Sequence, residues 1–165
     1  LVVSEMCIRD SYNVYELTNQ FIDSGVSGIH FEDQLASEKK CGHVGGKVVI
    51  PTHEYIKKLN SARLSSDVSG VPIIIIARTD AMNAKLMTSD FDDRDSKYLS
   101  KNRTSDGYFL IENNHEMAIT KSLNYADYAD VVWCETNTPD LGFAKEFADE
   151  IRKSHPNKIL SLIHI

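Results

Sequence analysis

The chain has 165 residues, 42% of them hydrophobic and 25% charged, which suffices for one globular domain with a real core. Its net charge of −6 argues against a nucleic-acid binder or a basic membrane-surface protein, both of which need clustered Lys and Arg. No apolar run approaches the roughly 20 residues of a membrane helix, and no basic segment followed by an apolar one opens the chain, so a cytoplasmic protein without membrane or nucleic-acid partners is expected.

Cys7, Cys41 and Cys134 are an odd set without close spacing, unlike a disulfide framework or a zinc site, and read as free thiols of a reducing compartment. The two ends share a different signal. One nucleotide string, ATG TGT ATA AGA GAC AGC, would encode Met6 to Ser11, and the reverse complement of its core encodes Leu160 to Ile165. The repeat resembles a transposon end used to fragment DNA. Residues 1–11 and 161–165 are therefore expected to be adapter-derived scars around a central segment, 12–160, leaving Cys7 and His164 without function. A native N-terminal arm and a native last strand are the alternative.

Within the central segment, Val14, Leu17, Phe21 and Ile22 predict an amphipathic helix from Asn13 to a stop at Gly25. Ser27 to Asp33 reads as a strand with a polar end, followed by a Gly-rich loop carrying Lys39-Lys40-Cys41-Gly42-His43. Pro51-Thr52 opens a second helix with Tyr55, Ile56, Leu59 and Ala62 inward and a turn at Ser69-Gly70. Val71 to Ala77, with four successive isoleucines, predicts a buried parallel strand ending in Arg78-Thr79-Asp80. Leu86 to Asn113 is polar and reads as an irregular excursion, long enough to suggest a functional loop or an inserted subdomain. A helix from about Asn114 to Tyr125 would bury Ala118, Ile119 and Leu123. Val131-Val132-Trp133 is the next strand, ending in Cys134-Glu135-Thr136. Thr138-Pro139 suits the N-cap and first turn of a last helix with Leu141, Ala144, Phe147, Ala148 and Ile151 inward. His155-Pro156 stops it, and Ile159 begins another strand.

This alternation predicts an α/β fold with parallel strands, either an open doubly wound sheet or part of a (β/α)₈ barrel. Charged residues at three successive carboxyl ends, Glu32-Asp33-Gln34, Arg78-Asp80 and Glu135-Asn137, favour the barrel, whose active sites form there. A whole barrel needs about 250 residues, so the expectation is a partial TIM barrel of about three strands plus a fourth strand stub.

Cys41 stands beside three potential cations, Lys39, Lys40 and His43, which would lower its pKa from about 8.5 and make it a candidate acid or base. An ordinary loop thiol is the plain alternative. The guanidinium of Arg78 suits a carboxylate, with a structural ion pair to Asp80 as the alternative. His30 reads as a core histidine, and Trp133 with the Ile73 to Ile76 run as core.

The stretch His30-Phe31-Glu32-Asp33-Gln34-Leu35-Ala36-Ser37-Glu38-Lys39-Lys40-Cys41-Gly42-His43 resembles the signature loop of the isocitrate lyase family. Further similar pieces follow in the family's order: Gly45-Gly46-Lys47 with Pro51-Thr52, Ala77-Arg78-Thr79-Asp80-Ala81, Thr88-Ser89-Asp90, Arg103-Thr104-Ser105-Asp106-Gly107, Tyr125-Ala126, Trp133-Cys134-Glu135-Thr136 and Thr138-Pro139-Asp140-Leu141. The resemblance covers roughly Tyr12 to Leu160, and the excursion resembles an insertion that the methylisocitrate lyase branch lacks. Leu99 to Asn102 departs from the family's Gly-containing turn.

The resemblance implies Mg²⁺-dependent retro-aldol cleavage of isocitrate to glyoxylate and succinate, the glyoxylate-cycle reaction, with Cys41 as proton donor or acceptor. It assigns substrate binding to Gly42, His43 and Arg78, loop activation to Lys39 and Lys40, and Mg²⁺ (or Mn²⁺) to Glu32 and Glu135, directly or through water. Asp33 is expected to orient the loop. The parent enzyme would be a cytoplasmic homotetramer. The family's principal metal aspartate lies before Tyr12 and another site segment after Leu160, so the chain alone is expected to be inactive. A methylisocitrate lyase-type segment and a non-catalytic carboxylate-binding α/β unit stay open as alternatives.

Overall fold

The computed structural model describes residues 2–3, 11–40 and 45–164. In chain order these form β1 (Val2–Val3), α1 (Ser11–Asp23), β2 (Gly28–Glu32), β3 (Lys47–Val49), α2 (Thr52–Ser69), β4 (Ile74–Thr79), β5 (Ala84–Met87), α3 (Asp93–Ser96), β6 (Leu99–Arg103), β7 (Phe109–Ile111), α4 (Asn114–Tyr125), β8 (Val131–Thr136), α5 (Leu141–Ser154) and β9 (Ile159–His164). The main sheet has the order β1-β2-β4-β8-β9, all parallel. A second sheet, β3-β5-β7-β6, mixes one parallel and two antiparallel pairings.

Side chains of a strand alternate between faces, so the register decides what each face carries. Phe31, Ala77 and Val132 are aligned across β2, β4 and β8. This face meets the helices. One core joins Val14, Leu17 and Ile22 of α1 and Tyr55 and Leu59 of α2 to Ile29, Phe31, Ile75 and Ala77. A second packs Val132 and Cys134 against Met117 and Ala118 of α4 and Phe143, Phe147 and Ile151 of α5. Complete burial of a side chain such as Phe147 contributes about 1.5–3 kcal/mol. Tyr55 and Tyr125 lie between sheet and helices with ring centroids 4.5 Å apart. Each hydroxyl is bonded, Tyr55 to the Phe31 carbonyl and Tyr125 to Asp33, so neither costs an unmade hydrogen bond.

The parallel α/β architecture follows the sequence expectation, with β2, β4 and β8 as central strands and β9 beside them. Several local readings need correction. β4 starts at Ile74, not Val71, and the isoleucine run is not uniformly core, because Ile74 points to the face opposite the helices and is 51% exposed. Leu141 is 89% exposed instead of inward, and α5 is capped by Asp140, whose carboxylate accepts from the Phe143 N–H, not by Thr138-Pro139. The excursion is ordered: β5, β6 and β7 pair in it, and β3 rises from what reads as loop.

The excursion also completes α2. Pro51 precedes this helix and offers no side-chain oxygen, so the first N–H groups need outside acceptors. Asp95 accepts from the Thr52 N–H at 2.6 Å and from its hydroxyl at 2.8 Å, while Asp92 accepts from the His53 N–H at 2.7 Å. Asp95 is itself buried 3.5 Å from the Lys121 ammonium. At the other end, Gly70 closes α2 at φ 67°, its N–H bonded to Ser66 and Asp67 carbonyls.

Asp95→Ala therefore uncaps α2 and strands a buried ammonium. Its expected cost is about 3–5 kcal/mol in urea unfolding, against at most about 0.5 kcal/mol for Lys153→Ala, which breaks an exposed pair with Glu150.

Candidate active site

The face of the sheet away from the helices carries the chemistry. Glu32, Arg78 and Trp133 are aligned across β2, β4 and β8, and Glu135 follows two residues beyond Trp133 on the same face. Three strand ends thus deliver their polar side chains to one place. This is why charged residues follow apolar strand interiors in the sequence.

Arg78 is the hub. Its Nε and Nη2 donate to Asp80 Oδ2 and Oδ1, each at 3.0 Å, a bidentate pair formed within one strand end. Glu32 lies 3.4 Å from Nε, Glu135 lies 3.8 Å from Nη2, and the guanidinium carbon stands 4.9 Å from the centre of the Trp133 ring. His30 meets the same indole edge-on at 5.0 Å. Lys39 reaches Glu32 at 2.9 Å, and Lys47, fully buried, donates to Asp80 at 2.5 Å. Three cations, Lys39, Lys47 and Arg78, therefore face three carboxylates, Glu32, Asp80 and Glu135.

Burial, reinforced by the charge of Asp80, pushes the Glu32 carboxyl above its usual range despite Lys39 and Arg78. Glu135 is likewise raised, first by burial, with Arg78 opposing. For Arg78, burial pulls the pKa down but the Asp80 bond and the surrounding carboxylates more than offset it, so the guanidinium stays charged. Both oxygens of Glu135 are buried without a close, well-aligned donor, the Trp133 indole N–H and the Arg78 guanidinium at 3.8 Å offsetting only part of the cost to a carboxylate. A hard divalent cation would relieve it, and Mg²⁺ takes few carboxylates while keeping its waters. The donor set thus fits such an ion, although among the described residues no three His, Cys, Asp or Glu side chains form a metal cage.

Asp33 stands apart from the cluster. Its carboxylate accepts from the Thr79 hydroxyl, the Asp80 N–H and the Tyr125 hydroxyl, so its oxygens are committed to holding strand ends together. Burial raises its pKa too.

Cys41, Gly42 and His43 lie outside the described residues. The chain on both sides of them is fixed. Gln34, buried, forms two bonds with the backbone of Lys40, donating to its carbonyl and accepting from its N–H, each at 3.0 Å. Beyond the loop, Gly46 has φ 77°, and a Cβ there would stand 3.0 Å from the Lys40 ammonium. The left-handed backbone at Gly46 is what favours glycine there.

Of the residues singled out in the sequence, Lys39, Glu32, Arg78 and Glu135 come together, and Lys40 stands at the loop's edge. The ion pair of Arg78 with Asp80, the alternative that the sequence left open, is formed, and Lys47 and Trp133 join the group unexpectedly. Trp133 belongs to the site face and not to the core, its buried indole N–H interacting with the Glu135 carboxylate. The charge and position of Asp80 at a strand end were a usable signal. Nothing local marks Lys47. Cys134, by contrast, is fully buried and its thiol is pushed well above the usual range by burial, which leaves it inert.

The sequence profile of the isocitrate lyase family matches residues 10–102 and 99–163. The chain is 53% identical to the isocitrate lyase of Corynebacterium glutamicum and 54% to that of Salmonella typhimurium, over 90% of this chain and 34% of each relative. It is 50% identical to isocitrate lyase 1 of Mycobacterium tuberculosis, of which it covers 35%. The chain thus spans about a third of the length of these relatives. Among solved structures, oxaloacetate acetylhydrolase with 3,3-difluorooxalacetate aligns with TM-score 0.64 at 21% identity, covering 97% of this chain and 51% of that one. Phosphonopyruvate hydrolase with oxalate and Mg²⁺ aligns with TM-score 0.60 at 17% identity, covering 98% of this chain and 44% of that one. These structural likenesses concern the fold: a parallel sheet with its helices, as part of a larger barrel-like domain.

The raised carboxyls set a pH dependence. A folded state that binds protons more tightly than the unfolded chain gains stability below the unfolded pKa and loses it as pH rises through the folded value. The urea midpoint should therefore rise on acidification from pH 7.5 toward about 5. Below about 4 it should fall, because the unfolded chain then takes up a proton at Asp92 that the folded protein refuses, its bonds to Arg94 and His53 holding the carboxyl well below the usual range despite burial. Glu135→Gln should raise the midpoint at pH 7.5, by on the order of 1 kcal/mol, and flatten the rise.

Proposed function

The chain belongs to the isocitrate lyase family, and from that premise we propose that it is the central segment of an enzyme that cleaves isocitrate reversibly to glyoxylate and succinate. The observation that carries this reading is the arginine hub, in which the Arg78 guanidinium lies among the carboxylates of Glu32, Asp80 and Glu135 at converging strand ends. Such a site suits a polycarboxylate substrate and a divalent cation together. The ordered excursion β5 to β7 supports isocitrate over its methyl homologue, since it resembles the family's insertion.

In the reaction the C–C bond between the hydroxyl-bearing carbon and its neighbour breaks. The hydroxyl carbon becomes the glyoxylate carbonyl as its hydroxyl proton passes to a general base of the complete barrel, and the electron pair stays on the succinate carbon. The Cys41 thiol delivers the proton that this carbon needs, and takes it back in the condensation direction. Lys39, Lys40 and His43 favour the thiolate left behind. Arg78 presents its unspent N–H groups to a substrate carboxylate, Gly42 and His43 bind another, and Trp133 closes the apolar side of the hub. Glu32 and Glu135 would hold Mg²⁺, directly or through water, with Mn²⁺ as substitute. The bound ion would supply Lewis acidity at the substrate's oxygens.

The segment does not carry out this chemistry alone, because it holds only some of the family's site residues. The parent enzyme is a cytoplasmic homotetramer in this reading. Purified as the 165-residue chain with Mg²⁺ and isocitrate, it should release no glyoxylate; with its missing barrel strands restored, it should. In the restored enzyme Cys41→Ser should cost about 10²–10⁴-fold in turnover, the range of a lost general acid. Arg78→Lys, which forfeits the fork, should mainly weaken substrate binding, by roughly tenfold or more. Glyoxylate release from the 165-residue chain by itself would refute the division of labour.

A further inference from the structure

Lys47 is left unused by the reaction just described. Its side chain is fully buried at the first residue of β3, and lysines are almost never so buried unless paired. The ammonium donates to Asp80 Oδ1 at 2.5 Å, the oxygen that also accepts from Arg78 Nη2 at 3.0 Å. Asp80 Oδ2 accepts from Arg78 Nε at 3.0 Å. One carboxylate thus orients both cations.

The charge balance gives this arrangement a consequence. Without Lys47, Asp80 would cancel Arg78 and Lys39 would offset Glu32 at 2.9 Å, leaving Glu135 at 3.8 Å to repel an arriving carboxylate. With Lys47 present, the Lys47, Asp80 and Arg78 group keeps one positive charge. The backbone of Lys47 is placed in turn by pairing with Ala84 of β5.

We propose that Lys47 is a positioning residue: through Asp80 it fixes the orientation of Arg78 and the net charge of the group that meets an arriving anion. This rests on the carboxylate-binding reading of Arg78.

The test uses the 165-residue chain with nitrogen-15 arginine, the Arg78 Nε–H resonance being assigned through Arg78→Lys. In Lys47→Met that resonance should move and exchange with water faster, by on the order of tenfold, as its acceptor loosens. Arg63 and Arg94, whose acceptors are Asp130 and Asp92, should be unaffected. Lys47→Arg should restore the signal. Should Lys47→Met not fold, Lys47→Gln, which keeps a donor and drops the charge, carries the same expectation. An Arg78 resonance unchanged in a folded neutral variant, with only the unfolding midpoint lowered, would make Lys47 a structural ion pair and overturn the proposal. Succinate titration of the same samples separates the two readings. A wild-type Arg78 signal that ignores succinate sinks the carboxylate reading, while the ligand-free comparison still decides Lys47. Where succinate binds, Lys47→Met should weaken it about tenfold.

Discussion

Charged groups can converge inside a parallel sheet only if each meets a counter-charge, since burying them unpaired costs several kcal/mol apiece. Asp80 meets that demand for this protein. Its two oxygens take the fork of Arg78 and the ammonium of Lys47, while its backbone N–H is held by Asp33. The one residue therefore ties β4 to β3 and to β2, and places Arg78 between Glu32 and Glu135. Remove its charge, and two cations would be left to repel each other in a low-dielectric pocket.

The polar network continues outward from there. Asp33 joins Thr79 and Tyr125, and Tyr125 accepts from Lys121, which also donates to the Ile50 carbonyl and lies beside Asp95. Asp95 in turn caps α2. A continuous line of satisfied polar groups thus runs from the candidate site to the excursion. The excursion is consequently a working part of the fold: it supplies the cap that Pro51 cannot, and its β5 strand holds the residue that steadies Asp80. Networks of this kind specify one arrangement of the core when every member is bonded.

The face carrying the site is less covered than the helix face. Ile74 and Ile159 stand 51% and 63% exposed, and β1 and β9 are the edges of the main sheet among the described residues. An exposed apolar layer beneath a polar cluster is what the inside of a barrel looks like when viewed without its other strands. The likeness to larger barrel-like proteins, of which the chain covers about half, agrees with that geometry.

How much of this was legible beforehand depended on distance along the chain. Period and composition sufficed for α1, α2, α4 and β2, because a helix face or a strand end is written within a dozen residues. The loop motif pointed to Lys39, Arg78, Glu32 and Glu135 through family resemblance, and these four do converge. The cap of α2 was not readable, since Asp92 and Asp95 lie about forty residues from the N–H groups they serve. Nor was Leu141's exposure, because Asp140 rather than Thr138 starts the helix and turns its face by a residue or two. Trp133 was misplaced for a related reason: an apolar residue on a parallel strand can face either side, and only the register with Arg78 decides which. The sequence alone was enough for the family, the alternation of α1, α2, α4 and α5 with β2, β4, β8 and β9, and the residue types gathered at those strand ends, but not for the second sheet. The Arg78–Asp80 pair, two residues apart, was within reach of the sequence, but the tertiary structure alone decided that Lys47 joins it and that Glu32 and Glu135 flank it, because partners thirty or more residues apart meet through sheet pairing that no local pattern encodes.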